Sequence, residues 1–279
     1  MSAPLIEPVD LNLDIGTVVF DCRFSLADMA HGRRVFEAGH IPGAQRFDME
    51  TELSGARSGR NGRHPLPTRT TFEQRLRAAG VNNTTKIVLY DGAGPAGAAR
   101  AWWLLQWFGF NDVAVLHGGF AAWQQAELPI ETGAANAVPV SGQVCLREPN
   151  ASSVVFIDEL ASQLNLFAGR LIDAREAERY RGEAEPIDPV AGRIPGAVNL
   201  PWGDLLDADG RFLDRTALRE HWQAAQGAET KPVLYCGSGV TACVLALSRA
   251  VADLPPATLY AGGFSEWCAD PARPVASSM

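Results

Sequence analysis

The 279-residue sequence lacks several features that would assign it at once to a class of protein. It has no uninterrupted apolar run long enough to cross a bilayer, and its N-terminus has neither the basic region nor the apolar core of a signal peptide. No basic tract occurs, and the net charge is −8. These absences argue against a membrane span, secretion, and general binding to nucleic acids or anionic membranes. We therefore expect a cytoplasmic protein.

Cysteine and histidine are scarce and scattered. Each occurs five times, without a C-x-x-C pair and without histidines at the spacing of metal ligands. An odd number of dispersed cysteines suits a reducing compartment and argues against a disulfide framework. The sequence indicates no metal site and no organic cofactor.

The chain contains two similar halves. The motif GHIPGA, which begins at Gly39, matches GRIPGA, which begins at Gly192. KIVLYDG, with Tyr90, matches KPVLYCG, with Tyr235, and HGGFAAW matches AGGFSEW. The landmarks keep their order and nearly their separation, which is far longer than a solenoid repeat. The pattern therefore predicts two tandem domains.

We place the first domain at residues 1–135 and the second at 153–279, joined by a linker at 136–152 that is rich in Ala, Gly and Pro. Short apolar strands alternate with helical stretches in both halves, which predicts an α/β fold with a parallel sheet flanked by helices in each domain. The predicted strands lie near residues 17–21, 44–47, 86–90, 113–116, 170–173, 197–200, 232–235 and 257–260. The predicted helices lie near residues 71–79, 96–108, 119–126, 175–181, 216–225, 240–252 and 263–268.

Cys236 ends a short apolar strand, and open parallel sheets bind ligands at the carboxyl ends of their strands. Gly237 and Gly239 let the following turn present its N–H groups inward before a helix begins, and such a nest favours a thiolate. A buried packing cysteine is the alternative interpretation. The first half decides between them, because it has Asp91 at the matching position and an aspartate cannot act as a sulfur nucleophile. We predict a reactive second domain and a first domain that acts as a scaffold.

With these motifs in view, the chain resembles the two-domain rhodanese-like sulfurtransferases over nearly its whole length. The resemblance implies an inactive first domain and a Cys236 persulfide formed in the second. The loop CGSGVT matches the form associated with 3-mercaptopyruvate sulfurtransferases. In the thiosulfate-using branch the two residues after the cysteine are typically basic, whereas here they are Gly237 and Ser238. The N–H groups implied to hold the sulfur are those of Gly237, Gly239, Val240 and Thr241.

The resemblance implies transfer of sulfur from 3-mercaptopyruvate to a thiol or to cyanide, with thiosulfate:cyanide transfer as the alternative. Arg181, in RYRG, matches the arginine that binds the substrate carboxylate, although a solvated surface arginine is a second interpretation. The family's second substrate-binding arginine is absent from residues 183–191, and Arg193 could compensate for it.

A Ser-His-acid arrangement proposed for that branch would fall on Ser238, His64 and Glu50, with Asp48 as a neighbouring carboxylate. His64 could equally be an exposed loop histidine. The expected partners are a small-molecule sulfur donor and acceptor, with thioredoxin or another dithiol as one candidate acceptor.

Two rival functions belong to other classes. A cysteine phosphatase places an arginine six residues after its cysteine, but that position holds Ala242. A non-catalytic docking module would have no use for a cysteine and a glycine-rich loop in one half only.

Overall fold

The computed structural model describes residues 3–13, 16–92, 94–135, 140–226 and 231–278. The chain forms two compact units. The first contains residues 1–55, 66–150 and 208–211, and the second contains residues 56–65, 151–207 and 212–279. Residues 136–139 of the predicted linker lie outside the described ranges. A short segment from the first half of the sequence, residues 56–65, therefore belongs to the second unit.

The first unit is built on a five-stranded sheet in which every described pair of neighbouring strands is parallel. Its strands are β1 (Leu5–Ile6), β2 (Thr17–Asp21), β3 (Gln45–Arg46), β4 (Lys86–Tyr90) and β5 (Val113–Leu116). The strand order is β1-β5-β4-β2-β3. Its helices are α1 (His31–Ala38), α2 (Arg69–Ala78), α3 (Ala96–Trp107) and α4 (Gly119–Gln125).

The apolar sequences of β4 and β5 explain why these strands form the buried centre of the first unit. The four residues of β5 are all buried, as are the last four of β4, because a strand with parallel neighbours and helices beside it is covered on both faces. The tryptophan-rich helix α3 is a packing helix, with Trp102 and Trp103 buried. The hydroxyl of Thr68 accepts a hydrogen bond from the N–H of Thr71 at 3.2 Å, which caps α2.

The second unit repeats this plan on four parallel strands. The strands are β6 (Leu171–Asp173), β7 (Val198–Asn199), β8 (Val233–Tyr235) and β9 (Thr258–Leu259), in the order β7-β6-β8-β9. The helices are α5 (Ile157–Ser162), α6 (Leu164–Phe167), α7 (Ala177–Arg181), α8 (Arg215–Gln226), α9 (Ala242–Val251) and α10 (Gly263–Trp267). The sheet order places β8, which precedes Cys236, between β6 and β9.

The predicted α/β class and the parallel sheets are confirmed, and each predicted strand and helix has a counterpart in the described structure. The sequence analysis missed β1, α1, α5 and α6. The strand β1 has two residues, too few to show a period, and α1 buries only Gly32 and Phe36 on an otherwise polar helix. No helix among the described residues is long and apolar enough to traverse a bilayer.

A buried ion pair marks the repeat in each unit. Arg23 pairs with Asp21 at 2.5 Å, and Arg175 pairs with Asp173 at 2.7 Å. Each arginine also donates to the carbonyl of the first glycine of its unit's GHIPGA or GRIPGA motif. The pairs therefore tie the end of one strand to the loop that leads into the next, which is a structural role.

Candidate active site

Cys236 follows the buried strand β8 directly and is itself only 2% exposed. Gly239 lies in the left-handed region with φ +77°, a conformation that glycine adopts without a steric penalty. This turn brings the N–H of Gly239 to 3.1 Å from the Cys236 sulfur, to which it donates a hydrogen bond. One N–H of the predicted nest, that of Gly239, therefore has the Cys236 sulfur as its acceptor, and the parts of Gly237, Val240 and Thr241 stay predictions.

The helix α10 holds this loop from the other side. The N–H of Phe264 donates to the Cys236 carbonyl at 2.7 Å, and that of Ser265 donates to the Gly237 carbonyl at 2.9 Å. The C=O and N–H of a trans peptide point in opposite directions. The N–H groups of Gly237 and Ser238 are therefore turned away from α10.

The matching loop of the first unit is held by the same kind of backbone hydrogen bond, but it has Asp91 where the second unit has Cys236. The N–H of Phe120 donates to the Asp91 carbonyl at 2.8 Å, as Phe264 does for Cys236. The Asp91 carboxylate itself accepts from the N–H groups of Gly92 at 2.8 Å and Gly97 at 2.6 Å. Burial raises the pKa of Asp91 to about 7, although these N–H groups oppose the rise. In the first unit, the Asp91 carboxylate is therefore the acceptor for the N–H groups of its own loop.

The structure brings His64 and Ser238 together. His64 belongs to residues 56–65, the segment that clusters with the second unit. Its Nδ1 lies 2.7 Å from the Ser238 hydroxyl, and the residues are 1% and 4% exposed. The alternative of an exposed loop histidine is therefore wrong.

Glu50 belongs to the first unit. It lies in a turn where the Asp48 carboxylate accepts from the N–H groups of Glu50 and Thr51, both at 3.0 Å. The part of Glu50 as the acid behind His64 stays a prediction.

The two arginines of RYRG have different surroundings. Arg181 is 39% exposed and pairs with Glu183 at 2.7 Å and Glu178 at 3.9 Å. Arg179 is 13% exposed, and its Nη2 lies 3.5 Å from the point where a Cβ on Gly237 would stand. Residues two apart on a helix project about 200° apart, so α7 directs only one of them to the cysteine loop. The structure places Arg179 there.

Arg193, the other arginine considered for the substrate, lies over the Tyr180 ring at 4.5 Å and donates to the hydroxyl of Ser278 at 3.0 Å.

The sequence analysis also missed Arg63 and two carboxylates. Arg63 forms an ion pair with Asp188, whose second oxygen lies 3.2 Å from Arg179. The Glu185 carboxylate forms ion pairs with Arg179 at 2.7 Å and with Arg175 at 3.1 Å. Burial raises the pKa of Asp188, although both of its arginine partners oppose the rise. The signal available was the acidic character of residues 183–191, where a second arginine was sought and where Glu185 and Asp188 stand with Glu183.

The geometry defines a buried thiol that accepts a backbone hydrogen bond in its own loop, with a histidine–serine pair and two arginines at the same loop. A family model described as "Rhodanese-like domain" matches residues 7–126 and again residues 156–270. The chain therefore belongs to the rhodanese-like family.

Named relatives extend over almost the whole chain. A "Probable 3-mercaptopyruvate sulfurtransferase" of Pseudomonas aeruginosa is 45% identical, over 99% of this chain and 95% of the relative. A "Putative thiosulfate sulfurtransferase" of Mycobacterium tuberculosis is 39% identical, over 92% of this chain and 89% of the relative. The solved structure of the 3-mercaptopyruvate sulfurtransferase from Leishmania major superposes with a TM-score of 0.84 at 29% identity, covering 94% of this chain and 73% of that one.

Proposed function

We propose that this protein is a sulfurtransferase that takes sulfur from 3-mercaptopyruvate and passes it to an acceptor through a persulfide on Cys236. The observation that carries the proposal is the Cys236 sulfur, held at 3.1 Å by the N–H of Gly239 in a loop that α10 closes. Backbone N–H groups can stabilise a thiolate before the reaction and the persulfide anion after it. The names of the relatives support the same activity.

The first half-reaction balances without a cofactor. The Cys236 thiolate attacks the substrate sulfur, a sulfur–sulfur bond forms, and the carbon–sulfur bond breaks with its electron pair on carbon. The product is the enolate of pyruvate, which must gain a proton. The new persulfide carries the proton that was on the substrate sulfur, and this proton moves to the carbon. Ser238 and His64 are the groups we propose to carry it, and the 2.7 Å contact between their side chains supports that role. Gly237, Gly239, Val240 and Thr241 supply the surrounding N–H groups.

Recognition of the substrate carboxylate needs an arginine near this loop. Arg181 is the predicted residue, and the surroundings of Arg179 support Arg179 instead. We propose Arg179 for this contact. Glu50 remains the proposed acid that orients His64.

The acceptor we propose is cyanide, a small thiol, or a dithiol protein such as thioredoxin. All five cysteines are free thiols, which suits the reducing cytoplasm that we propose as the location. We also propose that residues 1–135 are the inactive domain, 136–152 the linker and 153–279 the catalytic domain, to which residues 56–65 contribute His64.

Thiosulfate:cyanide transfer is the second candidate. Arg63 beside Gly237 favours it, because it brings a positive charge to a loop that has none in its own sequence. The ratio of kcat/KM for the two donors separates the candidates, and a preference for thiosulfate would overturn the first.

The test of the activity is pyruvate release from 3-mercaptopyruvate by the full chain. We expect Cys236→Ser to abolish turnover with either donor, and Cys145→Ser, which changes an exposed cysteine, to keep it. Retained turnover in Cys236→Ser would refute the proposal.

A further inference from the structure

The helix α10 carries one residue that contacts two separate parts of the site. The N–H of Ser265 donates to the Gly237 carbonyl at 2.9 Å, which supports the cysteine loop. Its hydroxyl accepts a hydrogen bond from the N–H of Arg63 at 3.1 Å, in the segment 56–65 that supplies His64. Ser265 therefore joins the loop of the cysteine to the segment of the histidine.

The Ser265 hydroxyl uses both of its hydrogen-bonding functions in this position. It donates to the Gly262 carbonyl at 3.1 Å, which leaves an oxygen lone pair to accept from Arg63. The Gly262 carbonyl also lies against Gly62, where an added Cβ would stand 2.5 Å from it. The segment is thus held by close packing at Gly62 and by this hydrogen bond at Arg63.

The next residue of the segment is His64, whose ring must stay within reach of Ser238. Its Nδ1 lies 2.7 Å from the Ser238 hydroxyl. A displacement of about 1 Å at a reacting group can cost about 100-fold in rate. The position of the backbone at Arg63 therefore bears directly on the contact between His64 and Ser238.

The repeat offers a comparison for this serine. GGFSEW in the second unit matches GGFAAW in the first, so Ser265 corresponds to Ala121. The first unit nevertheless has the backbone hydrogen bond from its helix to its loop, since the N–H of Phe120 donates to the Asp91 carbonyl at 2.8 Å. A hydroxyl at this position is therefore not required for closing the loop, and it occurs in the half that carries the cysteine.

We propose that Ser265 is a positioning residue for the sulfur transfer, because its hydroxyl holds the Arg63 backbone and thereby keeps His64 at Ser238. The inference rests on the proposed function, in which His64 helps to carry a proton to the enolate. In Ser265→Ala the backbone N–H at this position can still donate to the loop. The variant therefore removes the link to the segment and keeps the support of the loop.

Hydrogen exchange tests the link directly, in peptides that contain the Arg63 amide. Loss of one hydrogen bond should speed exchange there by about 3- to 10-fold in Ser265→Ala. Ser162→Ala is the matched control, because the Ser162 hydroxyl also donates to a carbonyl of its own helix, that of Asp158 at 2.6 Å, and it should leave this exchange unchanged. Equal exchange rates in both variants and the unaltered chain would overturn the inference.

The kinetic test is a double-variant cycle on pyruvate release from 3-mercaptopyruvate. Ser265→Ala should lower kcat by about 3- to 10-fold with little change in KM, because the proton moves after the substrate has bound. His64→Gln keeps a polar side chain that cannot carry the proton, and adding Ser265→Ala to it should cause no further loss. Losses that multiply in the double variant would show that Ser265 acts by another route and would overturn the inference.

Alkylation of Cys236 by iodoacetamide separates this role from a general loosening of the site. The rate should be the same in Ser265→Ala as in the unaltered chain, because the backbone of α10 still supports the loop. A rate that changes as much as kcat would contradict a role through His64. Failure of the proposed function itself differs, because the unaltered chain would then release no pyruvate while the difference in hydrogen exchange remained.

Discussion

The individual residues of the site divide into those that a sequence pattern reveals and those that only the fold brings together. Cys236 stands out because Asp91 replaces it in the other half. The contact of His64 with Ser238 joins residues far apart in the chain, and it was expected only from the resemblance. Arg63 carries no comparable signal, because only the fold brings its guanidinium beside Gly237.

The Ser238 hydroxyl should matter for one donor and not for the other. We expect Ser238→Ala to lower kcat/KM for 3-mercaptopyruvate by about 10²-fold, because the enolate must be protonated and general acid catalysis has that order of magnitude. Thiosulfate is the internal control, since sulfite leaves without a proton. Equal losses with both donors in steady-state assays would contradict a role in proton transfer.

Asp91 should make stability depend on pH. Its pKa rises from 3.8 to about 7 on folding because the carboxyl is buried. The folded state therefore holds this proton more tightly than the unfolded chain, and the associated stability is lost as the pH rises from about 4 to about 7. The slope is at most about 1.4 kcal/mol per pH unit.

The measurement is urea unfolding of the protein and of Asp91→Asn across that pH range. The variant cannot ionise at this position, so its free energy of unfolding should fall less between about pH 4 and pH 7 than that of the unaltered chain. Profiles that run parallel would show that Asp91 does not titrate in this window.

At the scale of secondary structure, the sequence predicted the elements with a clear apolar period and missed those without one. The strands β4 and β8 are apolar runs followed by a turn, and both were placed within a residue of their bounds. The short strand β1 pairs with β5, which a local pattern does not show. The closure of the cysteine loop by α10 was also beyond prediction, since it depends on backbone hydrogen bonds between distant segments.

Gly263 at the start of α10 is predicted to support the reactive loop. Its φ is +61°, and an added Cβ would lie 2.7 Å from the Cys236 carbonyl. We expect Gly263→Ala to destabilise the protein by about 1–3 kcal/mol and to reduce sulfur loading of Cys236, because the loop must move.

Gly119 is the matched control in the first unit. It has φ +58°, and its Cβ would lie 2.5 Å from the Asp91 carbonyl. Gly119→Ala should cost similar stability, measured by urea unfolding, and leave the loading of Cys236 unchanged. Equal loss of loading in the two variants would contradict a local role for Gly263.

At the scale of the whole molecule, the repeat was sufficient to predict tandem domains with parallel sheets. It could not reveal that residues 56–65 cluster with the second unit, because this depends on docking contacts such as that of Gly62 with Gly262. These contacts bring His64 and Arg63 to the cysteine loop. In the proposed mechanism, the chemistry of the second unit therefore depends on a segment that the first half of the sequence supplies.

The central claim is that Cys236 carries the transferred sulfur. The most direct measurement is mass spectrometry of the intact protein and its peptides after incubation with 3-mercaptopyruvate and no acceptor. We predict one added sulfur atom on the Cys236 peptide in the unaltered chain and in Cys145→Ser, and none in Cys236→Ser. An unmodified Cys236, or a sulfur carried only by another cysteine, would contradict the account.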